Sequence, residues 1–430
     1  MPRYFIWTIG CQMNKAESQQ IAGCLASAGF ERATSFSDAD LVVLNTCVVR
    51  QSAENRALGT LNLLRGLKDE RPDLRIVVTG CLVNSNTREL EKRFPHIDLL
   101  FKPGDYHELI AWEQRQGVPV ENQSSRHSVN EGKTALPCAL VPIIQGCDNF
   151  CSYCIVPYRR GREISRPLEE ITCEVKTLVK QGRKEVTLVG QNVDSYGHDL
   201  PGRPDLADLL TELSTIAELV RIRFLTNHPK DMSRKLVETM ASLDKVCEHL
   251  ELPVQSGDNA ILRAMRRAYT AQQYRELVGL VRREIPQVSV STDMIVGFPG
   301  ETDEQFQRSL SLVEEMRFDV VHVAAYSPRP GTIASREYQD DVPVDVKKER
   351  FSRIEGLQTA IAGEINSRLR DTEEEVLVEG RKGGKWFGRT RSNKLVFFED
   401  DGDWLGQLAA VRIKKTSPWS LTGDVNRIIN

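Results

Sequence analysis

The chain has no apolar run approaching the ~18 residues of a membrane span. Its first residues, Met1-Pro2-Arg3-Tyr4-Phe5-Ile6-Trp7, contain neither a long apolar core nor a cleavage-like end. A soluble, cytosolic protein with no membrane association is the expectation. Net charge is nearly absent too: at −3 over 430 residues, the overall balance does not attract nucleic acid, and any such binding has to come from local basic segments. Disorder is excluded by a composition of 40% hydrophobic and 27% charged residues, which is that of globular domains. The length suffices for two or three of them with cores of their own.

What the chain does contain is clustered sulfur. Six of its ten cysteines form two groups of three: Cys147, Cys151 and Cys154 in one short run, and Cys11, Cys47 and Cys81 far apart. Cytosolic thiols stay reduced, so such groups point to metal binding or catalysis and not to a disulfide framework. A structural zinc or an ordinary iron-sulfur centre takes four protein ligands, and three leave a coordination position open for chemistry.

The dispersed group follows a repeated pattern. Tyr4 to Thr8 precedes Cys11, Leu41 to Asn45 precedes Cys47, and Ile76 to Thr79 precedes Cys81, with helical stretches expected near Glu17 to Ala28, Ser52 to Lys68 and Ser85 to Phe94. Short apolar strands alternating with amphipathic helices predict βαβ units and a parallel sheet. The three cysteines then sit at the carboxyl ends of neighbouring strands, where open α/β sheets hold ligands. Free cysteine is often merely buried, and Cys24, within an apolar helix face, reads that way. Three cysteines at one structural offset, two of them after glycine (Gly10 and Gly80), do not. From Pro103 to Lys133 the periodicity fades into a polar stretch, expected to be a linker over 119–133 with His127 exposed.

The close group follows an expected strand, Ala139 to Gln145. Further strands are expected at Glu185 to Gln191, Val220 to Thr226, His249 to Val254, Val288 to Gly297 and Val320 to Ser327, separated by helical patterns. Six strands in β/α alternation predict a partial barrel with its active-site residues on the carboxyl-end loops. Zinc needs a fourth ligand near Cys147, Cys151 and Cys154; no His or Cys lies between Cys154 and Cys173. Cys138 starts the strand, on the order of 20 Å away at about 3.3 Å per residue. His228 and His249 read as structural.

From about Arg368 the pattern becomes short strands and turns, with strands expected at Glu375 to Glu379, Lys385 to Thr390, Lys394 to Phe398 and Ala409 to Lys414. A small antiparallel barrel is the expectation. Arg381, Lys382, Lys385, Arg389, Arg391 and Lys394 occur there without an acidic residue among them, interleaved with Trp386 and Phe387. Cations for phosphate and rings for unpaired bases suit single-stranded RNA. Arg159, Arg160, Arg162 and Arg166, just after the close cysteines, and Arg263, Arg266 and Arg267 are further candidates for the phosphate backbone.

Taken together, Gly10-Cys11-Gln12-Met13-Asn14, Asn45-Thr46-Cys47, Gly80-Cys81, Gly146-Cys147 to Cys154, Leu252-Pro253-Val254-Gln255-Ser256-Gly257 and Gly297-Phe298-Pro299-Gly300-Glu301-Thr302 resemble the signatures of the radical S-adenosylmethionine methylthiotransferase family, over essentially the whole chain. The resemblance implies an α/β protein with three parts: an N-terminal parallel α/β sheet domain (1–118), a radical SAM partial (β/α)6 TIM-like barrel (134–366) and a C-terminal TRAM β-barrel that binds RNA (367–430). It implies a [4Fe-4S] cluster on Cys147, Cys151 and Cys154 that binds S-adenosylmethionine and generates a 5′-deoxyadenosyl radical. An auxiliary [4Fe-4S] cluster on Cys11, Cys47 and Cys81 would carry the sulfur, methylated by a second S-adenosylmethionine. Gly190, Gln191, Asn192, Gln255, Ser256, Gly257, Asp293, Ile295 and Gly297 are the implied S-adenosylmethionine contacts, the cofactor performing the hard chemistry.

Gln12-Met13, Val156-Pro157-Tyr158 and Gln191-Asn192-Val193 resemble the branch acting on N6-dimethylallyladenosine 37 in the tRNA anticodon stem-loop. They are less like the branches acting on threonylcarbamoyladenosine or on a ribosomal-protein aspartate. A flavodoxin- or ferredoxin-like electron donor, a sulfur source and a monomeric state complete the expectation. A noncatalytic RNA-binding metalloprotein is the reading of a different class.

Overall fold

The computed structural model describes residues 1–83, 87–116 and 136–429. They form two compact units: the described residues up to 116 with Gln145–Asn149 and Cys154–Ile164, and residues 136–144, Phe150–Tyr153 and 165–429. The linker expected over 119–133, with His127, lies outside the described residues.

The first unit is built on a five-stranded parallel sheet in the order Glu31–Arg32, Arg3–Thr8, Leu41–Thr46, Arg75–Gly80, Leu99–Leu100. The central strand, Leu-Val-Val-Leu-Asn-Thr, is buried along its whole length, as a parallel strand covered on both faces must be. Its side chains alternate: Val42 and Leu44 pack with Leu61 and Leu64 of the helix Gln51–Glu70. Leu41 and Val43 pack with Ile21 and Leu25 of the helix Gln12–Ser27. Register pairs Thr8 with Asn45 and Thr46 with Gly80, so the chain leaves three adjacent strands along one edge, toward Cys11, Cys47 and Cys81.

Two differences from the sequence expectation have local causes. The first helix begins at Gln12, directly after Cys11, and not near Glu17. The stretch expected to be aperiodic contains the helix Tyr106–Arg115. Its apolar stripe is only Tyr106, Leu109, Ile110 and Trp112, packed on the same core as Tyr4 and Phe101, and Glu113 is buried against Arg75.

The second unit carries six parallel strands as two three-stranded sheets, Arg221–Phe224, Glu185–Val189, Cys138–Pro142 and His249–Glu251, Ser289–Val296, Val320–Ala325. A single parallel bridge between Ile222 and Val246 links them. Val186, Leu188, Ile222, Leu250, Val290 and Met294 point outward to the helical layer and make the main core. By the alternation of strand side chains, Glu185, Arg223, His249, Glu251, Ser291, Asp293 and His322 line the other face, so the barrel interior is polar. Thr270 with Gln273 and Thr302 with Gln305 form capping boxes that start the helices Ala271–Glu284 and Asp303–Met316. The helix Val344–Ser367 was not anticipated. It is largely polar, and it seats by Ile354 and Ile361 in the main core and by Gln358 on the carbonyls of Phe318 and Asp319.

The same unit ends in a closed five-stranded barrel, Glu373–Lys382, Lys385–Thr390, Leu395–Phe398, Leu421–Ile428, Leu408–Thr416. Four of these strands are legible in the sequence. The fifth, Leu421–Ile428, is polar, and it closes the barrel through a parallel pairing of Val396 with Leu421, so the barrel is not wholly antiparallel. Among the described residues, no helix is long and apolar enough to cross a membrane.

Candidate active site

Cys11, Cys47 and Cys81 converge at the sheet edge. The glycines before two of them are required by space. A Cβ on Gly10 (φ +134°) would lie 2.7 Å from Cys47 Cβ, and one on Gly80 (φ +90°) would overlap the Thr46 carbonyl. Underneath, Asn14 and Asn45 are fully buried and exchange hydrogen bonds: Asn14 Nδ2 donates to Asn45 Oδ1 (2.9 Å) and to Thr46 O (2.9 Å), and Asn45 Nδ2 to Asn14 O (2.8 Å). This network fixes the turn that carries Cys47. Cys47 and Cys81 are buried while Cys11 is exposed.

A hydrogen bond with Cys47 and the positive charge of Arg160 hold the Cys81 thiol below its ordinary value. The same bond raises Cys47. Three thiols at adjacent strand ends, with the Arg160 Nε on Cys81 Sγ at 3.3 Å, make a donor set that fits a cluster.

Cys147, Cys151 and Cys154 are divided between the two units, Cys147 and Cys154 with the first and Cys151 with the second. The loop is tightly set at both places. A Cβ on Gly146 (φ +83°) would overlap the Arg162 carbonyl, and Cys147 N donates to Gly161 O at 3.2 Å. Ser152, fully buried, donates from N to Met265 O (3.0 Å) and from Oγ to Ala264 O (2.7 Å), and accepts from Ala334 N (2.7 Å). Cys151 Sγ receives Arg267 Nη1 at 3.4 Å. Among the described residues no three His, Cys, Asp or Glu side chains close around a single ion; the thiolates of a cube, each on its own iron, need not.

The residues expected to contact S-adenosylmethionine fall into two sets. Gly190, Ser256, Gly257 and Gly297 are engaged in packing. A Cβ would meet Ile144 Cγ2 at 2.5 Å from Gly190 and Arg308 O at 2.5 Å from Gly257, and at Gly297 would overlap Lys347, while Ser256 lies against Ser309. Asn192 is buried with its Nδ2 on Asp231 (2.8 Å). Gln191, Asp293 and Ile295 are half-buried. Gln255 is joined to Asp293 and Ile295 through backbone hydrogen bonds of 2.9 and 3.0 Å. Gln255 and Thr226, each a few residues past a strand end, share φ +70°, a left-handed conformation that side chains other than glycine rarely adopt away from functional sites.

Sequence reasoning passed over Thr226 and Glu251, and took Arg267 for a phosphate contact although it is buried against Cys151. Burial, then the Asp293 charge, raises the Glu251 carboxyl, and Glu251 Oε2 accepts from Thr226 N at 3.1 Å. The strand alternation that puts Asp293 inside also puts Glu251 there, so the signal was available. His228 and His249 are buried, and burial chiefly pushes them down to about 2 and about 3.

The cations expected to meet RNA differ in exposure and in partners. Arg160 is 7% exposed and gripped by Glu17. Arg159 is half-buried, and Arg166 is held by Glu170 (2.9 Å), Glu174 (2.7 Å) and the Pro142 carbonyl (2.7 Å). In the last barrel, cations with no acid beside them in sequence acquire acids in space: Lys385 pairs with Glu399, Arg389 approaches Glu379, Arg391 binds Glu248 and Lys394 binds Asp319. The turn at 389–394 is docked on the (β/α) barrel. Arg223 donates to the carbonyls of Thr390 (2.6 Å) and Arg391 (2.6 Å), Arg221 donates to that of Arg389 (2.8 Å), and Asn393 meets His249 (3.3 Å). Arg160, Arg391 and Lys394 are therefore corrected to internal partners. Arg162, Arg381, Lys382 and Lys385 are exposed, as are Arg263 and Arg266, whereas Arg267 is buried. Trp386 is core, its Nε1 on Asp400 O (3.1 Å). Phe387 is half-buried against Phe397, and Trp419, 56% exposed, was not anticipated.

Three family patterns match the chain: Uncharacterized protein family UPF0004 over residues 3–102, the Radical SAM superfamily over 141–313 and the TRAM domain over 368–425. Proteins named tRNA-2-methylthio-N(6)-dimethylallyladenosine synthase are similar along their whole length. One from Dehalococcoides mccartyi is 52% identical over 100% of both chains. One from Herpetosiphon aurantiacus is 46% identical over 98% of this chain and 97% of its own, and one from Clostridium botulinum is 42% identical over 98% and 96%. Among solved structures, the radical S-adenosylmethionine methyltransferase TsrM from Kitasatospora setae, with cobalamin and [4Fe-4S] cluster bound, superposes with a TM-score of 0.58 at 16% identity, over 78% of this chain and 77% of its own. That likeness is one of fold.

Proposed function

The chain belongs to the family of the tRNA-2-methylthio-N(6)-dimethylallyladenosine synthases, and from that premise we propose that it converts N6-dimethylallyladenosine at position 37 of tRNA to its 2-methylthio form. The observation that carries the reading is the convergence of Cys11, Cys47 and Cys81 on three adjacent parallel strand ends, in a chain that also holds Cys147, Cys151 and Cys154 after the first barrel strand.

Two [4Fe-4S] clusters and S-adenosylmethionine supply, when bound, the sulfur, the methyl group and the hydrogen-abstracting radical. Cys11, Cys47 and Cys81 would hold one cluster, and Cys147, Cys151 and Cys154 the other, each leaving one iron free of protein. The buried Asn14–Asn45 pair keeps the first site rigid, and Ser152 anchors the second. On the inner face of the barrel, Gln191, Glu251, Asp293 and Ile295 offer polar and apolar contacts to S-adenosylmethionine. Arg162, Arg381, Lys382 and Lys385 would meet the anticodon stem-loop through its phosphates, and Phe387 through stacking. The protein acts as a cytoplasmic monomer served by a flavodoxin- or ferredoxin-like reductant and a separate sulfur source. The test is nucleoside mass spectrometry of tRNA from cells lacking the protein: N6-dimethylallyladenosine should accumulate and its methylthio form disappear. Persistence of the methylthio nucleoside would refute the substrate.

A further inference from the structure

At each three-cysteine site a buried arginine reaches a thiol. Arg160 ends the helix Val156–Arg160, six residues after Cys154. Its Nε donates to Cys81 Sγ at 3.3 Å, and its two terminal nitrogens bind the Glu17 carboxylate, Nη2 at 3.2 Å. Glu17 is itself 2% exposed. Arg267 is 6% exposed; its Nη1 donates to Cys151 Sγ at 3.4 Å, Nη2 to Pro253 O at 2.7 Å and Nε to Tyr269 Oη at 2.7 Å.

The two differ in what balances the charge. A guanidinium out of water needs a counter-ion or a full set of acceptors. Arg160 has Glu17. The hydrogen-bond partners of Arg267 among the described residues are two neutral oxygens and the Cys151 sulfur, and none is a carboxylate. A metal centre is tuned by hydrogen bonds to its ligating sulfurs and by nearby charge. Reduction adds one electron, and so one negative charge, which a neighbouring cation stabilises.

We propose that Arg160 and Arg267 are positioning residues, each setting the reduction potential of one cluster, Arg160 through Cys81 and Arg267 through Cys151. The uncompensated Arg267 has the larger effect. This rests on the cluster assignment given under Proposed function. It adds that the assignment extends to one specific arginine per site.

The experiment uses the full chain in two backgrounds, one with the dispersed cysteines and one with the close cysteines changed to Ala, so that each reconstituted protein holds a single cluster. The midpoint potential is followed by electron paramagnetic resonance during titration with titanium(III) citrate and mediators. R267M should lower the reduced-to-oxidised ratio of the close-triplet cluster at fixed potential by about tenfold or more, the scale of a lost charged hydrogen bond. It should leave the dispersed-triplet cluster unchanged. R160M should lower the ratio a few-fold at the dispersed triplet only, and R267K and R160K should recover part of each shift. Unchanged potentials overturn the proposal, as does an equal shift of both clusters by either variant, which would mean general disruption. If the otherwise unmutated chain reconstitutes with the iron and sulfide of fewer than two cubes, the cluster assignment itself fails and the proposal falls with it, a result distinct from an unshifted potential.

Discussion

The dispersed and the close cysteine triplets bring three thiols together by opposite routes. Cys147, Cys151 and Cys154 are gathered by covalent spacing within eight residues, and the fold only has to turn the loop at Gly146. Cys11, Cys47 and Cys81 are gathered by a parallel sheet, so that site exists only when three strands are in register and the turn at Thr46 is held by Asn14 and Asn45. A locally encoded site tolerates loosening of the surrounding domain, whereas one assembled from strand ends inherits the stability of the whole sheet.

The sharpest break is between Cys47→Ala and Cys151→Ala. Cys47→Ala should retain reductive cleavage of S-adenosylmethionine while methylthiolation falls to background. Cys151→Ala should lose both, as read by 5′-deoxyadenosine release and nucleoside mass spectrometry. Methylthiolation that survives Cys47→Ala would remove this cysteine from the reaction.

Gly80→Ala comes next. Its positive φ and the overlap with Thr46 O should destabilise the first unit by about 3 kcal/mol. On this comparison the dispersed-triplet cluster is lost first and the close-triplet cluster persists. Gly146→Ala, crowded by the Arg162 carbonyl, should do the reverse. Denaturant melts and the iron content of each variant check both; equal loss of both clusters in both variants would dissolve the distinction.

Asn45→Ala removes one of the two acceptors of the buried Asn14 amide and the donor to the Asn14 carbonyl, and should cost about 2 kcal/mol, again selectively reducing iron at the dispersed site. The smallest effect belongs to the RNA face. Arg381→Ala with Lys382→Ala should weaken tRNA binding by about tenfold or less, more at low salt than at high salt, with both clusters intact. A salt-independent loss would argue against contact with the backbone.

Much of the framework was legible because it is repetitive. The three strand-to-cysteine offsets and the six β/α alternations survive in the structure with shifts of a few residues at their ends. The helix Tyr106–Arg115 was missed because its apolar stripe is short, and Val344–Ser367 because its seating depends on polar residues such as Gln358 and Arg350, which find their acceptors only in the folded chain. Leu421–Ile428 reads as a loop by composition and is a strand because an open barrel edge pairs with it.

The basic residues show where sequence reading stops. In one dimension Arg389, Arg391 and Lys394 form a run clear of acids, and Arg160 sits in a run of arginines. In three dimensions Glu248 lies on Arg391 across a sequence separation of 143 residues, and Glu17 on Arg160 across the same separation. Sequence alone determined which thiols are grouped, because covalent spacing and the strand-end offset are properties of the chain's order. Only the tertiary structure decided which cations stay exposed and which are buried against carboxylates, carbonyls and thiols. Charge pairing is set by proximity in space, and these partners come from distant parts of the chain.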